Sequence, residues 1–231
     1  MKKKSYIQSW PTILAISALI WSTFGVSSVS ASLVNSSSST DLLSTGLVGH
    51  WTFDGKKTPW TSSTAGTTLD SSGNSNTGTL TSMVQSTNPV AGRIGQALTF
   101  DGSTDYISAG VPSNLTFTAA STFSVSAWIK TTQSGINTCI SGKYDSTVGK
   151  GYFWCSLSGN VYMQMQTSQT IYIYRIGSTA IANGVWHHVV ATYSGTSNAS
   201  TGIKLYVDGV IEPTYSDTQT VGTLGSLAVS S

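Results

Sequence analysis

Ala182-Asn183-Gly184-Val185-Trp186-His187-His188-Val189-Val190-Ala191-Thr192-Tyr193, followed after a polar loop by Leu205-Tyr206-Val207-Asp208-Gly209, decides the fold. Val, Thr, Tyr and Trp crowd both runs, and Gly and Asn punctuate their ends, as expected of short strands rather than helices. The stretch reads as two β-strands joined by a polar loop, with a Trp-His-His corner opening the first.

Working outward, the same signature recurs. Phe123 to Lys130 alternates, with Phe123, Val125, Ala127 and Ile129 on one face and Ser124, Ser126, Trp128 and Lys130 on the other. Asn160 to Gln166 sets Val161, Met163 and Met165 against Tyr162, Gln164 and Gln166, and Thr170 to Ile176 sets Ile171 and Ile173 against Tyr172 and Tyr174. Upstream, Leu47, Gly49, Trp51 and Phe53 share one side of an opening strand, and Ala97–Phe100 and Tyr106–Ser108 flank Asp101-Gly102. Asp70 to Gly78 is a dense turn cluster. About ten short strands, with no amphipathic helix, predict an all-β, two-sheet antiparallel sandwich.

The N-terminus carries a targeting signal. Lys2, Lys3 and Lys4 precede an apolar run from Ile13 to Trp21 that is short for a membrane span, and Val29-Ser30-Ala31 offers a cleavage point. Residues 1–31 are therefore read as a signal peptide and 32–45 as a Ser/Thr-rich flexible leader, with one domain from 46 to 231. An uncleaved signal anchor is the other reading. The whole chain is +2, but losing three lysines leaves eight basic residues against nine acidic. Nothing in that balance, and no basic stripe, points to nucleic acid or to an anionic membrane. The exported context implies a secreted or cell-surface protein, with no membrane insertion once the signal is gone.

Two cysteines, Cys139 and Cys155, flank a polar loop from Lys143 to Lys150 bracketed by glycines. Folding the hairpin about its midpoint at Thr147 sets the cysteines opposite each other, near disulfide distance. Export favours that bond over two buried thiols.

Several runs in the right order resemble the laminin-G-like, concanavalin A-type jelly roll. They are Gly46–Asp54 (GLVGHWTFD), Asp70–Leu80 (DSSGNSNTGTL), Gly92–Ile107 (GRIGQALTFDGSTDYI), Phe123–Lys130 (FSVSAWIK) and the Trp-His-His segment. The resemblance implies a jelly-roll sandwich that acts without catalysis as an extracellular recognition module for carbohydrate, or for matrix and cell-surface glycans. A structural or adhesion spacer is the alternative, and an accessory part of a glycoside hydrolase a further one. It also makes the Trp-His-His corner structural, with Trp186 between the sheets. Family members close with a run like F-x-G-x-I-D-E-V-R-I-Y, and this sequence reaches Ser231 without it. The expectation is a domain missing its last strand, with a neighbouring edge left unpaired.

Relatives often hold one structural calcium beside the opening strand. Asp54, Asn74, Asn76, Asp101 and Asp105 are the oxygen donors available for it here. The same residues equally make turns by capping backbone N–H groups. For glycan binding the candidates are Tyr162, Gln164, Tyr172, Tyr174 and Arg175, with Gln166 beside them, since sugar rings stack on flat aromatic faces while amides pair with hydroxyls. The rival reading is a tyrosine-coated sheet without a ligand. An extracellular protein is the other partner these features allow. His187 and His188 point to opposite faces of a strand and cannot chelate together. The only Glu is Glu212, beside Pro213, and no strand carries acids at i and i+2, so a glycosidase pair is not expected. No G-x-S-x-G elbow occurs either.

Overall fold

The computed structural model describes residues 45–135, 138–195, 200–219 and 223–227, and the backbone course of residues 7–8, 13–14 and 18–21. The cleavage point at Val29-Ser30-Ala31 and all but the last residue of the 32–45 leader lie outside the described residues.

Three short strands come first: β1 (Ile7–Gln8), β2 (Ile13–Leu14) and β3 (Ala18–Trp21). The opening strand is β4 (Leu47–Trp51), followed by β5 (Thr67–Thr68), β6 (Gly78–Thr81), β7 (Pro89–Ala91), β8 (Gln96–Phe100) and β9 (Tyr106–Ser108). The long strands are β10 (Thr122–Thr131), β11 (Thr138–Asp145), β12 (Lys150–Leu157), β13 (Asn160–Ser168), β14 (Ile171–Ala180) and β15 (Trp186–Ser194). Then come β16 (Ile203–Val207), β17 (Val210–Ile211) and β18 (Thr214–Gln219). Helix among the described residues is limited to two short 3₁₀ turns, Ser113–Leu115 and Ser200–Gly202.

Two antiparallel sheets make the sandwich. One runs β11-β12-β13-β14-β18. The other runs β17-β16-β15-β10-β2-β8-β7, with β3 and β4 continuing from β10 beside it. A third, four-stranded sheet runs β1-β9-β6-β5. The expected alternation holds: β10 buries Phe123, Val125, Ala127 and Ile129, each no more than 1% exposed. These meet Tyr152, Trp154, Met163, Met165 and Ile173 from the facing sheet in one continuous core. Phe117 stacks on Phe123, their centroids 4.1 Å apart, and sits at the rim of that core.

The opening strand packs as the pattern requires. Trp51 is buried, and its indole N–H donates to the Asn76 carbonyl at 2.8 Å, tying the strand to the Asp70–Gly78 turns. Its ring lies so close beneath Gly49 that a Cβ there would come within 2.5 Å of it. Only glycine fits that position.

Two expectations change. The cysteine hairpin is longer than its glycines suggest: β11 reaches Asp145 and β12 starts at Lys150, so Lys143 and Lys150 sit in strands. Lys143 is buried in the sandwich, where its ammonium donates to Thr116 Oγ1 and burial pushes its pKa down. Trp186 does not pack between the sheets. It sits opposite Lys130 in register and is partly exposed, whereas His187, Val189, Ala191 and Tyr193 turn inward. The outward row also holds Trp128, which is 5.2 Å from His188 and has the Arg93 guanidinium 5.4 Å from its ring centroid. Its parity with outward His188, not the family resemblance, sets the face of Trp186.

Candidate functional site

The outer face of the five-stranded sheet gathers the tyrosines and glutamines. The β12–β13 connection is a two-residue turn, Ser158-Gly159, between the paired residues Leu157 and Asn160. Both turn residues have positive φ, 52° and 85°, the conformation that matches strand twist and that glycine takes at least cost. This turn fixes the register Cys155↔Tyr162 and Phe153↔Gln164, and the next ladder sets Gln164↔Tyr174 and Gln166↔Tyr172. Tyr162, Gln164, Gln166, Tyr172 and Tyr174 therefore share one face, as their spacing predicts.

An aromatic row crosses four strands. Tyr144 meets Phe153 edge-on at 5.0 Å, Phe153 lies 5.8 Å from Tyr162, and Tyr162 lies 5.6 Å from Tyr174. Tyr172 and Tyr174 end the row with centroids 6.2 Å apart and planes within 14°. Sequence reasoning missed Tyr144 and Phe153; the signal was there in the hairpin register, once its strands are allowed to run to Asp145 and Lys150.

Hydrogen bonds lock the polar groups along β13. The Tyr162 hydroxyl donates to Gln164 Oε1, and Gln164 Nε2 donates to Gln166 Oε1 at 2.6 Å. Gln166 Oε1 also accepts from the Tyr144 hydroxyl at 3.2 Å, and Gln166 Nε2 donates to the Ser168 carbonyl at 2.8 Å. Burial pushes the Tyr162 phenol far above its usual pKa, and neighbouring Tyr174, Tyr172 and Tyr144 add to the shift. Tyr144 is raised too, by burial and then by Asp145. Both phenols stay protonated donors at neutral pH. Tyr162 and Gln166 are only 5% exposed, so they support the row from below, while Tyr172 and Tyr174 remain half-exposed.

The disulfide lies on this same face. Cys139 and Cys155 are bonded and directly paired across β11 and β12, as the hairpin geometry predicts. Cys155 packs with Tyr162 and Ile176 in a small apolar cluster outside the main core.

Arg175 does not belong to this face. It follows Tyr174, so it points the other way: Nη1 donates to the Ile203 carbonyl at 2.8 Å and Nη2 lies 3.6 Å from Asp217 Oδ2. It ties β14 to β16 of the other sheet. Adjacency in sequence misled here because strand parity separates neighbours.

The five candidate calcium ligands do not converge. Asp54 Oδ1 accepts from the Gln96 N–H at 2.8 Å. Asn74 and Asn76 turn their amide nitrogens to the carbonyls of Leu47 and Val48, at 3.0 and 2.7 Å. Asp101 caps its own turn, accepting from the N–H groups of Ser103, Thr104 and Asp105. Asp105 accepts from Asn88 Nδ2 at 2.8 Å and from the Asp101 N–H at 3.0 Å. Among the described residues, no three His, Cys, Asp or Glu side chains gather closely enough to hold a metal. Calcium needs six to eight oxygens, whereas here the three carboxylates accept from N–H groups and the two amides donate to carbonyls, in turns around residues 54, 74–76 and 101–105. This donor set does not fit the ion.

Two further carboxylates organise the fold through bonds that the sequence did not show. Asp70 accepts from the N–H groups of His50, Ser72 and Asn76 and so shapes the first loop. Glu212 is buried; its Oε2 accepts from the N–H groups of Ser178 and Thr179 at 2.8 and 2.7 Å, and its Oε1 accepts from the Thr179 hydroxyl. The two histidines part as adjacent strand residues must. His187 Nδ1 lies 2.7 Å from Asp208 Oδ2 and Nε2 lies 3.1 Å from Asn183 Oδ1, whereas His188 faces outward onto Trp128.

The fold is an antiparallel β-sandwich whose five-stranded sheet carries an aromatic, amide-rich outer face. The chain belongs to the concanavalin A-like lectin/glucanases superfamily, whose laminin G-type model matches residues 101–229. That span begins at Asp101, within the Gly92–Ile107 run, and covers β10 and the Trp-His-His strand, while the two resembling runs at Gly46–Asp54 and Asp70–Leu80 lie outside it. No curated protein and no solved structure matches the chain. Domains of this kind serve as carbohydrate- or ligand-binding or adhesion modules and are typically non-catalytic. Such domains, and disulfides, are typical of extracellular proteins. No helix among the described residues is long and apolar enough to cross a membrane.

Proposed function

We propose that this domain is a non-catalytic extracellular module that binds a neutral glycan along the outer face of its five-stranded sheet. The observation that carries this reading is the Tyr172–Tyr174 pair, two near-parallel rings at the accessible end of a row running from Tyr144. A sugar presents a flat C–H face to such rings, and aromatic side chains supply much contact area at little entropic cost. The glutamine relay behind them is already ordered, so little conformational freedom is lost on binding. Among the described residues of β12, β13 and β14 there is no carboxylate, which suits a neutral sugar.

Export is part of the reading: the N-terminal signal and the Cys139–Cys155 bond both suit an oxidising compartment. The test is a glycan array probed with the disulfide-intact protein, with and without calcium. Binding to neutral polysaccharide in both conditions is expected. Silence across the array would overturn the proposal in favour of a spacer or a protein-binding role, and release of reducing sugar would overturn its non-catalytic part.

A further inference from the structure

A cleft opens between the connection that follows β4 and the hairpin of β7 and β8, and it encloses about 300 Å³. That is the small end of the range for ligand sites. Phe53 and Leu98 form its floor and belong to the core, at 1% and 0% exposed. Trp60 gives it an aromatic wall, and Gln85 and Gln96, both exposed, add two amides.

The chain holds these residues in place before any ligand arrives. The Lys57 N–H donates to the Asp54 carbonyl at 2.7 Å and the Thr67 N–H to the Pro59 carbonyl at 3.0 Å, one on each side of the bend that carries Trp60. Trp60 bridges to Gly66, where a Cβ would come within 3.2 Å of the indole Cδ2 and 3.1 Å of Leu80 Cδ1. The missing side chain lets the ring settle against the backbone. The Gln85 N–H donates to the Ser63 carbonyl at 2.8 Å, and the Gln96 N–H donates to Asp54 Oδ1 at 2.8 Å. Both glutamines are thus tied to the segment that carries Trp60, and a site formed in advance loses little freedom on binding.

One polar group of the lining is unspent. Thr58 is 2% exposed, and among the described residues its hydroxyl has no hydrogen-bond partner. Buried hydroxyls are normally paired, so one left over calls for an explanation. None of the described residues that line the cleft is charged.

We infer that this cleft is a second binding site, which takes a single neutral sugar ring at the end or branch of a glycan. The indole receives the C–H face of the ring. Each amide donates to one hydroxyl and accepts from another, and the Thr58 hydroxyl gains the partner it lacks. An ionic ligand would be desolvated without a countercharge, and a purely apolar one would strip water from the amides without replacing it. The cleft shares no residue with the tyrosine row, so either site can fail without the other.

Two-dimensional ¹H–¹⁵N NMR of the disulfide-intact protein tests it, with the methyl glycosides of glucose, galactose and mannose as probes and cyclohexanol as an apolar control. At least one glycoside should saturably shift the Trp60 indole N–H and the Gln85 and Gln96 side-chain amides, and cyclohexanol should not. Trp60→Ala should abolish the glutamine shifts. Because Trp60 also packs on the core, the exposed pair Gln85→Ala/Gln96→Ala serves as a second variant. In it the Trp60 indole shift should need a roughly tenfold higher glycoside concentration, the loss expected of two neutral hydrogen bonds. No saturable shift at the three residues with any glycoside, equal shifts with cyclohexanol, or unchanged binding in the glutamine variant would overturn the proposal. Shifts confined to Tyr172 and Tyr174 would overturn it while leaving the tyrosine row standing. Shifts confined to the cleft would uphold it and count against the row.

Discussion

Tyr172 and Tyr174 stand two residues apart on β14 with ring centroids 6.2 Å apart and planes within 14°. A strand places i and i+2 side chains on one face, so the backbone itself sets these two rings side by side. Tyr174 also touches Tyr162, which is buried against Cys155 and Ile176. Removing a ring from the exposed end should therefore separate binding from folding. Tyr172→Ala is expected to weaken glycan binding by about 1–3 kcal/mol, the range seen when a stacking aromatic is truncated, and to leave the melting midpoint nearly unchanged. Tyr162→Ala should instead lower the midpoint. Isothermal titration with the best array ligand, together with thermal melts, checks both. Equal loss of stability in the two variants would show that Tyr172 is a structural ring.

The Cys139–Cys155 bond closes a sequence separation of 16 residues. Restricting a loop of that size in the unfolded chain is worth about 3 kcal/mol in the chain-entropy picture. The double variant Cys139→Ser/Cys155→Ser should lower the denaturant midpoint accordingly, and buried Cys155 adds a packing loss against Tyr162 and Ile176. Iodoacetamide labelling of exported, unreduced protein at both positions would contradict the bond.

Trp51 and Trp186 make a matched pair for testing burial. Trp51 is 2% exposed and spans the core, with its N–H on the Asn76 carbonyl. Trp51→Ala should cost about 3–5 kcal/mol as a core truncation. Trp186→Ala, on the outer row beside Lys130, should cost clearly less. Urea titrations of the two variants measure the difference, and equal losses would place Trp186 in the core after all.

That contrast shows what the sequence could and could not reveal. Period-two patterns in β10, β13 and β14 named the inward faces correctly, because a side chain's face is set by parity within a strand. The same rule sorted His187 from His188. Trp186 was set between the sheets on the family resemblance, whereas its parity with outward His188 turns it to the outer row beside Lys130. Parity also separates Arg175: it is adjacent to Tyr174 in sequence but anchors the opposite face through Ile203 and Asp217. The calcium candidates were legible as turn formers and illegible as a group, because convergence depends on how separate loops meet. The bonds from Asp70 to His50 and from Glu212 to Ser178 and Thr179 were hidden for the same reason, since these partners lie in strands distant in sequence.

Asp101 should control the acid limb of stability. Burial alone would raise its pKa, but N–H groups of Asp105, Ser103 and Thr104 and the Thr104 hydroxyl stabilise the carboxylate and hold it at about 2, below the ordinary 3.8. A depressed carboxyl contributes stability that is complete above the unfolded value and is lost as pH falls through the folded one. The window therefore runs from about 3.8 down to about 2. Asp105 works in the opposite sense: burial raises its pKa despite the bonds from Asn88 and Asp101, so its ionisation opposes folding as pH rises. Asp101→Asn should thus lower the melting midpoint at neutral pH and flatten its fall between pH 3.8 and 2 relative to the parent chain. Thermal melts of the two proteins across that interval decide it, and parallel curves would show that the Asp101 turn makes no difference to folding.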